Sequence, residues 1–335
     1  MKQNGFLQTK MMQEAKQLTK PKSRFRELIT FFVLSFVVSF AQGFIVAPAS
    51  AIFVYTDSKI LNMLRSATID FDALTERALE LANSQPDWLV ITTLFSTIVM
   101  VFGAIIYCKF IEKRTVASMG FRKKNAFLEY LVGIGIGLVL ILSVVGVLLL
   151  LGVLKIESIN SVSSYTIAAY FFAYLVQGAA EEVLIRGYYM TSLARSTSVK
   201  YAMVNCSILF SLMHASNNGM SILSFINLFM FGLLMSMYLV KRGNIWGICA
   251  IHSIWNFIQG NVFGLSVSGA QKSSSIFNTS IVSDVSNLTG GDFGIEASLV
   301  TTLVLFLAIG AVIMLKQNKN EIASQPPVNE GELNV

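Results

Sequence analysis

The sequence contains little charge for its length, which limits the class of protein it can encode. Only 13% of its 335 residues are charged, whereas 54% are hydrophobic. A soluble domain carries about 25% charged residues. Together with a mean hydropathy of +0.64, this composition excludes a soluble globular protein and predicts a polytopic membrane protein.

Cysteine and histidine are also scarce. The three cysteines, Cys108, Cys206 and Cys249, lie in or beside apolar stretches. Their odd number and location exclude a disulfide framework or a cysteine-based zinc cluster. The net charge of +6 would suit a nucleic-acid partner, but the basic residues follow a membrane topology instead, so we predict no nucleic-acid binding.

The sequence is rich in long apolar runs, and they predict an all-α fold: a polytopic integral membrane helical bundle of about eight transmembrane helices with both termini cytoplasmic. The predicted spans cover about residues 28–55, 88–110, 126–154, 165–190, 201–215, 220–240, 245–263 and 297–315. This topology places 19 of the 25 Lys and Arg residues in the cytoplasm and five outside, with Arg186 in a span. That asymmetry agrees with the positive-inside rule.

The same topology divides the chain into four parts. A basic cytoplasmic segment (1–27) is followed by a first span and an acidic, partly helical external loop (28–87). Residues 88–316 hold the remaining spans, and residues 317–335 are predicted to form a disordered cytoplasmic tail. We interpret the first apolar run as an uncleaved anchor, because it exceeds the length of a signal-peptide core.

Two adjacent glutamates and an arginine stand out in the fourth span. Unpaired charges at bilayer depth cost several kcal/mol each. Glu182 and Arg186 are spaced i,i+4, so they can pair on one helix face and support the structure. Glu181 lies about 100° around the helix from Glu182 and has no such local partner. It is therefore the candidate functional residue, the alternative being a protonated carboxyl bonded to a neighbouring helix.

Both histidines of the chain, His214 and His252, lie in apolar segments, and Asn256 shares a helix face with His252. Peptide hydrolysis needs an activated water, a proton shuttle and hydrogen bonds to the oxyanion. Glu181, His214, His252 and Asn256 together supply such groups. Alternatively, Glu181, His214 and His252 could be a catalytic zinc set. Spacing alone does not separate these two chemistries, and either histidine taken alone could equally bond neighbouring helices together.

The depths predicted for these residues in the membrane agree with one another only in part. At 1.5 Å per residue, Glu181 lies ~24 Å from the outer end of its span, and His252 lies ~10 Å from the inner end of its own. These depths match in a core of about 30 Å. His214, at ~20 Å from the inner end of the fifth span, is expected to lie further towards the outside.

Three ordered motifs resemble a known family. Glu-Glu-x-x-x-Arg at 181–186, Phe-x-x-x-His at 210–214 and His-x-x-x-Asn at 252–256 are similar to those of the CAAX-processing and bacteriocin-processing (CPBP) family of intramembrane proteases, related to the type II CAAX prenyl endopeptidase. The resemblance covers about residues 90–315. It implies that Glu181 is the catalytic base and that His214 helps to activate the water.

The resemblance further implies that His252 and Asn256 form the oxyanion site and that Glu182 and Arg186 give structural support. The family's chemistry has been described both as glutamate-dependent and as zinc-dependent. We favour the metal-free form with no cofactor, because Asn256 is a poor zinc ligand but a good hydrogen-bond donor.

The sequence thus predicts a multi-pass intramembrane endopeptidase of a bacterial plasma membrane. Its partners would be the lipid bilayer and a membrane-associated peptide or protein, as in bacteriocin or pheromone processing or self-immunity. One alternative is a catalytically silent scaffold that regulates a membrane-protein partner such as a sensor kinase. Another is a transporter that uses Glu181 as a proton relay, but no internal inverted repeat supports it.

Overall fold

A computed structural model of the chain describes residues 6–20, 22–66, 68, 70–283 and 285–322. The described residues are mostly helical, which confirms the prediction of a helical membrane bundle. The α-helices are α1 Lys10–Leu18, α2 Arg24–Tyr55, α3 Ser58–Arg65, α4 Phe71–Ala82, α5 Asp87–Ser96, α6 Ile98–Ile106, α7 Ala126–Leu150, α8 Ser164–Glu182, α9 Thr191–Leu193, α10 Val199–Met213, α11 Ile222–Arg242, α12 Trp246–Phe257, α13 Ser286–Thr289 and α14 Leu299–Met314.

Five helical stretches are long and apolar enough to cross a membrane. They are Arg24–Tyr55, Asp87–Ile111, Ala126–Leu150, Ser164–Leu193 and Ile222–Arg242. α10 and α14 are shorter apolar helices, and α12 continues as a π-helical turn to Val262. Each predicted span thus corresponds to a helix, while the number of crossings and the side of the termini stay predictions.

The regions predicted as loops contain two strands that the sequence did not indicate. β1 (Leu154–Ile159) and β2 (Phe277–Ile281) pair in antiparallel fashion. The third predicted span therefore ends earlier, at Leu150, and the chain turns into β1. Because β1 begins with Leu154 directly after a long apolar run, its first residues could not be separated from that span by composition.

Glycines bring the central helices close to each other. A Cβ added at Gly133 of α7 would lie 2.3 Å from the backbone oxygen of Gly247 in α12. A Cβ at Gly178 of α8 would lie 2.6 Å from Ser253 Oγ, also in α12. Small residues permit such close helix contacts in membranes. α12 therefore packs tightly between α7 and α8, which places residue 252 opposite residues 181 and 182.

The loop between the first two spans, which we predict to be external, is partly helical and holds α3 and α4. Asp57 caps α3 by accepting from the backbone N–H of Ile60. Arg77 of α4 lies 2.6 Å from the Asp57 carboxylate. Its hydrogen bonds lower the pKa of Asp57 to about 2, so this contact between α3 and α4 persists at neutral pH.

Buried charges connect α2 to the bundle at the end assigned to the cytoplasm. Arg195 lies 2.6 Å from Glu27 and 2.8 Å from Glu112, and Arg114 lies 2.8 Å from Glu112. These four side chains are almost fully buried. Since breaking a buried pair leaves an uncompensated charge, this cluster fixes the orientation of α2 against the rest of the protein.

The two ends of the described chain contact each other. Leu7 and Gln317 exchange two hydrogen bonds of 3.0 Å, and Thr9 forms an isolated bridge with Ile322. α1 buries Met11 and Met12 beside them. Of the tail predicted to be disordered, residues 317–322 take part in these contacts, and residues 323–335 lie outside the described residues.

We expect cysteines introduced at Lys124 and Asn278 to react with impermeant reagents from opposite sides of the membrane. Both positions are exposed, and the three native cysteines are buried, so the background is low. Labelling in intact cells and in inverted vesicles measures the sidedness. Equal accessibility of the two positions from one side would contradict the eight-span topology.

Candidate active site

Glu181 lies near the end of α8, where the helix changes to a π-helix over Val183–Met190. Such π segments are frequent at functional sites. One Glu181 oxygen, Oε1, accepts a hydrogen bond of 2.6 Å from Gln177 Nε2. The other, Oε2, is buried and has no hydrogen-bond partner among the described residues. The carboxylate is thus held by one oxygen, and the second can accept a proton.

Glu182 is fully buried and forms the predicted pair with Arg186, at 3.0 Å between Oε1 and Nη1. The same Oε1 atom also lies 2.9 Å from His252 Nδ1. The sequence did not indicate this second contact, because it joins residues 70 positions apart. Glu182 therefore pairs with the Arg186 charge and also orients the His252 imidazole of α12.

The bond to Glu182 determines which nitrogen of His252 carries the proton in the neutral ring. A carboxylate only accepts, so Nδ1–H is the donor and Nε2 keeps its lone pair. Nε2 lies 3.8 Å from Glu181 Oε2, which is longer than a hydrogen bond. Two acceptors therefore face each other, and a water molecule could donate to both.

His214 forms the C-cap of α10. Its Nδ1 atom lies 2.8 Å from the backbone oxygen of Phe210, so in the neutral ring Nδ1 is again the donor. α10 is only 15 residues long, or ~22 Å at 1.5 Å per residue, less than the ~30 Å hydrocarbon core. α10 thus has the length predicted for the fifth span, and His214 at its end lines the same cavity as Glu181 and His252.

The four predicted site residues line one cavity of about 300 Å³. Its lining is Leu94, Tyr174, Gln177, Glu181, His214, Asn217, His252, Asn256, Val267, Ser268, Gly269 and Ala270. Asn256 Nδ2 donates to Gln177 Oε1 at 2.9 Å, and Gln177 in turn donates to Glu181. A continuous row of hydrogen bonds thus joins α12 to α8 along one side of the cavity.

Sequence reasoning missed Gln177. A signal was available, because Gln177 is four residues before Glu181 and so lies on the same face of an apolar helix. It also missed the cavity wall at residues 267–270, which comes from the long segment between α12 and α14. A loop that folds back to a site has no hydrophobic periodicity, so the sequence contained no comparable signal for residues 267–270.

Aromatic rings and a cation pack behind the histidines. The Arg186 guanidinium lies 4.5 Å from the centre of the Phe210 ring. That ring lies 4.8 Å from His214 and 6.1 Å from His252. Phe210 thus packs between the Arg186 guanidinium and the His214 ring, while His252 keeps its direct contact with Glu182.

The zinc alternative requires Glu181, His214 and His252 to be ligands of one ion. Within the ranges described above, no three His, Cys, Asp or Glu side chains are grouped so as to hold a metal ion. The Nδ1 atoms of His214 and His252 already bond to protein oxygens. These bonds leave Nε2 of each ring available, as they also do in histidines that bind a metal, so the metal-free chemistry stays a prediction.

Comparison with known families gives a match to part of the chain. Residues 163–258 match the family model described as Type II CAAX prenyl endopeptidase Rce1-like. The matched range contains Glu181, His214, His252 and Asn256, but not the cavity wall at 267–270. Comparison with curated proteins gives no match, and comparison with solved structures gives none either. Residues 163–258 are thus similar to the Rce1-like type II CAAX prenyl endopeptidases of the CPBP family, within a multi-pass helical membrane protein.

Proposed function

We propose that this protein is an intramembrane endopeptidase that cleaves a membrane-associated peptide or protein with a glutamate-activated water. The observation that carries the proposal is the facing pair of acceptors, Glu181 Oε2 and His252 Nε2, 3.8 Å apart in a cavity of about 300 Å³. The two lone pairs accept both protons of one water and leave its oxygen to attack a carbonyl carbon.

In this mechanism Glu181 removes a proton from the attacking water. Gln177 holds the Oε1 atom of the same carboxylate, so that Oε2 keeps its direction. His252 can accept a proton and pass it to the leaving amine, because Glu182 stabilises the imidazolium through Nδ1. The bond to Glu182 thus supports proton transfer as the role of His252, whereas the family resemblance implied an oxyanion role.

Hydrogen-bond donors elsewhere in the cavity are available to stabilise the oxyanion. One amide hydrogen of Asn256 donates to Gln177, and we assign the second to the carbonyl oxygen that becomes negative. His214, which lines the same cavity, is the second candidate donor when its ring is protonated. Removing one such donor typically lowers kcat by about 100- to 1,000-fold.

We place this activity in a bacterial plasma membrane, with peptide maturation or self-immunity, such as bacteriocin or pheromone processing, as its role. This placement comes from the family resemblance and the topology. The alternative is a silent scaffold that binds a partner such as a sensor kinase. Only cleavage of a peptide bond distinguishes the two, since both use the same membrane bundle.

The direct test is cleavage by the purified full-length protein in lipid vesicles. We expect a pool of membrane-anchored peptides, with products read by mass spectrometry, to be cleaved. Activity should persist with a chelator such as EDTA or 1,10-phenanthroline, because the proposed base and proton carrier are protein side chains. Complete loss with chelator and recovery with added zinc would contradict the metal-free mechanism. No cleavage of any peptide would favour the scaffold.

A further inference from the structure

The cavity wall contains a residue in an unfavourable backbone conformation. Ser268, in the loop that follows α12, has φ of 48°. L-residues with a side chain rarely adopt this left-handed region, and serine is not among the residues that favour it. Such a conformation persists only where surrounding contacts impose it, and these positions cluster at functional sites.

The contacts on Ser268 come from one buried carboxylate. Glu296 Oε2 accepts from the backbone N–H of Ser268, and Ser268 Oγ lies 3.2 Å and 3.1 Å from the two carboxylate oxygens. Glu296 is only 9% exposed. Charge-assisted hydrogen bonds of this kind are about twice as strong as neutral ones, so Glu296 can hold Ser268 in its conformation.

Glu296 is itself fixed to the membrane helices. Asn227 of α11 donates to the backbone oxygens of Glu296 at 2.7 Å and Ser298 at 2.9 Å. Thr302 of α14 donates to Asn227 Oδ1 at 2.7 Å. The carboxylate therefore extends from a rigid base where α11 and α14 meet, rather than from a loose loop.

Ser268 connects Glu296 to the turn that carries His214. Its backbone oxygen accepts from Asn217 Nδ2 at 2.7 Å, and the Asn217 backbone N–H donates to the His214 oxygen at 3.0 Å. The next residue, Gly269, packs so closely that an added Cβ would lie 2.3 Å from Asn218 O. The cavity wall and the turn that carries His214 are thus held in a fixed position relative to each other.

We propose that Glu296 is a positioning residue for the site: it holds Ser268, and through Ser268 the cavity wall at 267–270 and the turn of His214, in the geometry that the reaction needs. This inference rests on the proposed peptidase function. Glu296 lies outside the Rce1-like range of 163–258, so the role belongs to the external loops of this chain.

The test compares Glu296→Ala with Glu296→Gln in the full-length protein in vesicles, using the peptide that the wild type cleaves best. We expect Glu296→Ala to lower kcat by roughly 10- to 100-fold with a smaller change in KM, because misplacement by about 1 Å can cost that much. Glu296→Gln should stay within about threefold of the wild type, because its amide oxygen still accepts from the Ser268 N–H.

The control is Glu157→Ala, since Glu157 also accepts from a serine, Ser280 Oγ at 2.7 Å, but on the exposed strand pair of β1 and β2. It should leave kcat unchanged. A second readout is independent of activity: the maleimide labelling rate of Val267→Cys in the wall. That rate should rise several-fold with Glu296→Ala and stay unchanged with Glu296→Gln and with Glu157→Ala.

The outcomes separate the inference from the proposed function. If Glu181→Gln is inactive but Glu296→Ala keeps the wild-type kcat per folded molecule, the peptidase stands and the positioning role is wrong. Equal labelling rates for Val267→Cys with and without Glu296 also overturn the inference. If the wild type cleaves no peptide, or Glu181→Gln cleaves as well as the wild type, the proposed function fails and the labelling rates alone judge whether Glu296 holds the wall.

Discussion

Replacing Glu181 with Gln is expected to abolish peptide cleavage and leave the protein folded. Glutamine has nearly the same shape but does not accept a proton from water, so the general base is lost. Such a base contributes typically 100- to 10,000-fold in rate. The Gln177 contact to Oε1 of residue 181 can persist with the amide oxygen. Expression, melting temperature and vesicle assays of cleavage measure the result.

The matched control for this variant is Glu157→Gln, which removes an exposed carboxylate from β1 and should keep full activity. His252→Ala should also lose cleavage, because it removes the second acceptor facing the water. A Glu181→Gln protein that fully restores the phenotype of a deletion strain would refute catalysis as the source of function. The scaffold would then be the better interpretation.

The second large effect is expected at Glu182, where one carboxylate oxygen serves both Arg186 and His252. Glu182→Gln leaves Arg186 without a counter-charge at a fully buried position. Breaking a buried pair in this way costs about 3–5 kcal/mol. We therefore expect a large drop in the free energy of unfolding, measured by denaturant titration in detergent, together with lost cleavage.

A double variant separates the two roles of Glu182. Glu182→Met with Arg186→Met removes both charges, and such apolar replacement of a buried pair is often neutral for stability. We expect stability to recover and cleavage to stay low, because His252 Nδ1 still lacks its acceptor. If the double variant regains cleavage as well, Glu182 serves only as the partner of Arg186 and does not orient His252.

Much of the architecture was predictable because membrane insertion acts on local composition. A helix must satisfy its own backbone in lipid and must be long enough to span it, so apolar runs such as 28–55 and 126–154 indicate the helices directly. The Glu182–Arg186 pair was predictable for a related reason, since i,i+4 residues on one helix meet whatever the rest of the fold does.

Contacts between distant segments were not predictable in the same way. The sequence indicated that Glu181, the two histidines and Asn256 belong together, through their motifs, but not which atom faces which. His252 Nδ1 bonds to Glu182 rather than to Glu181 because α12 lies tightly against α8 at Gly178. A shift of either helix by one residue would change that pairing, and composition does not specify such a shift.

The sequence by itself determined the class of protein, the approximate helices and the set of polar residues placed inside an apolar bundle, because each of these follows from local hydropathy and spacing. Only the tertiary structure decided that His214, at the end of α10, lines the cavity and that Gln177 links Asn256 to Glu181. It also decided that Ser268 lies in the cavity wall and bonds to Glu296. The reason is physical: these contacts join segments far apart in sequence, and the close packing of helices and loops selects them.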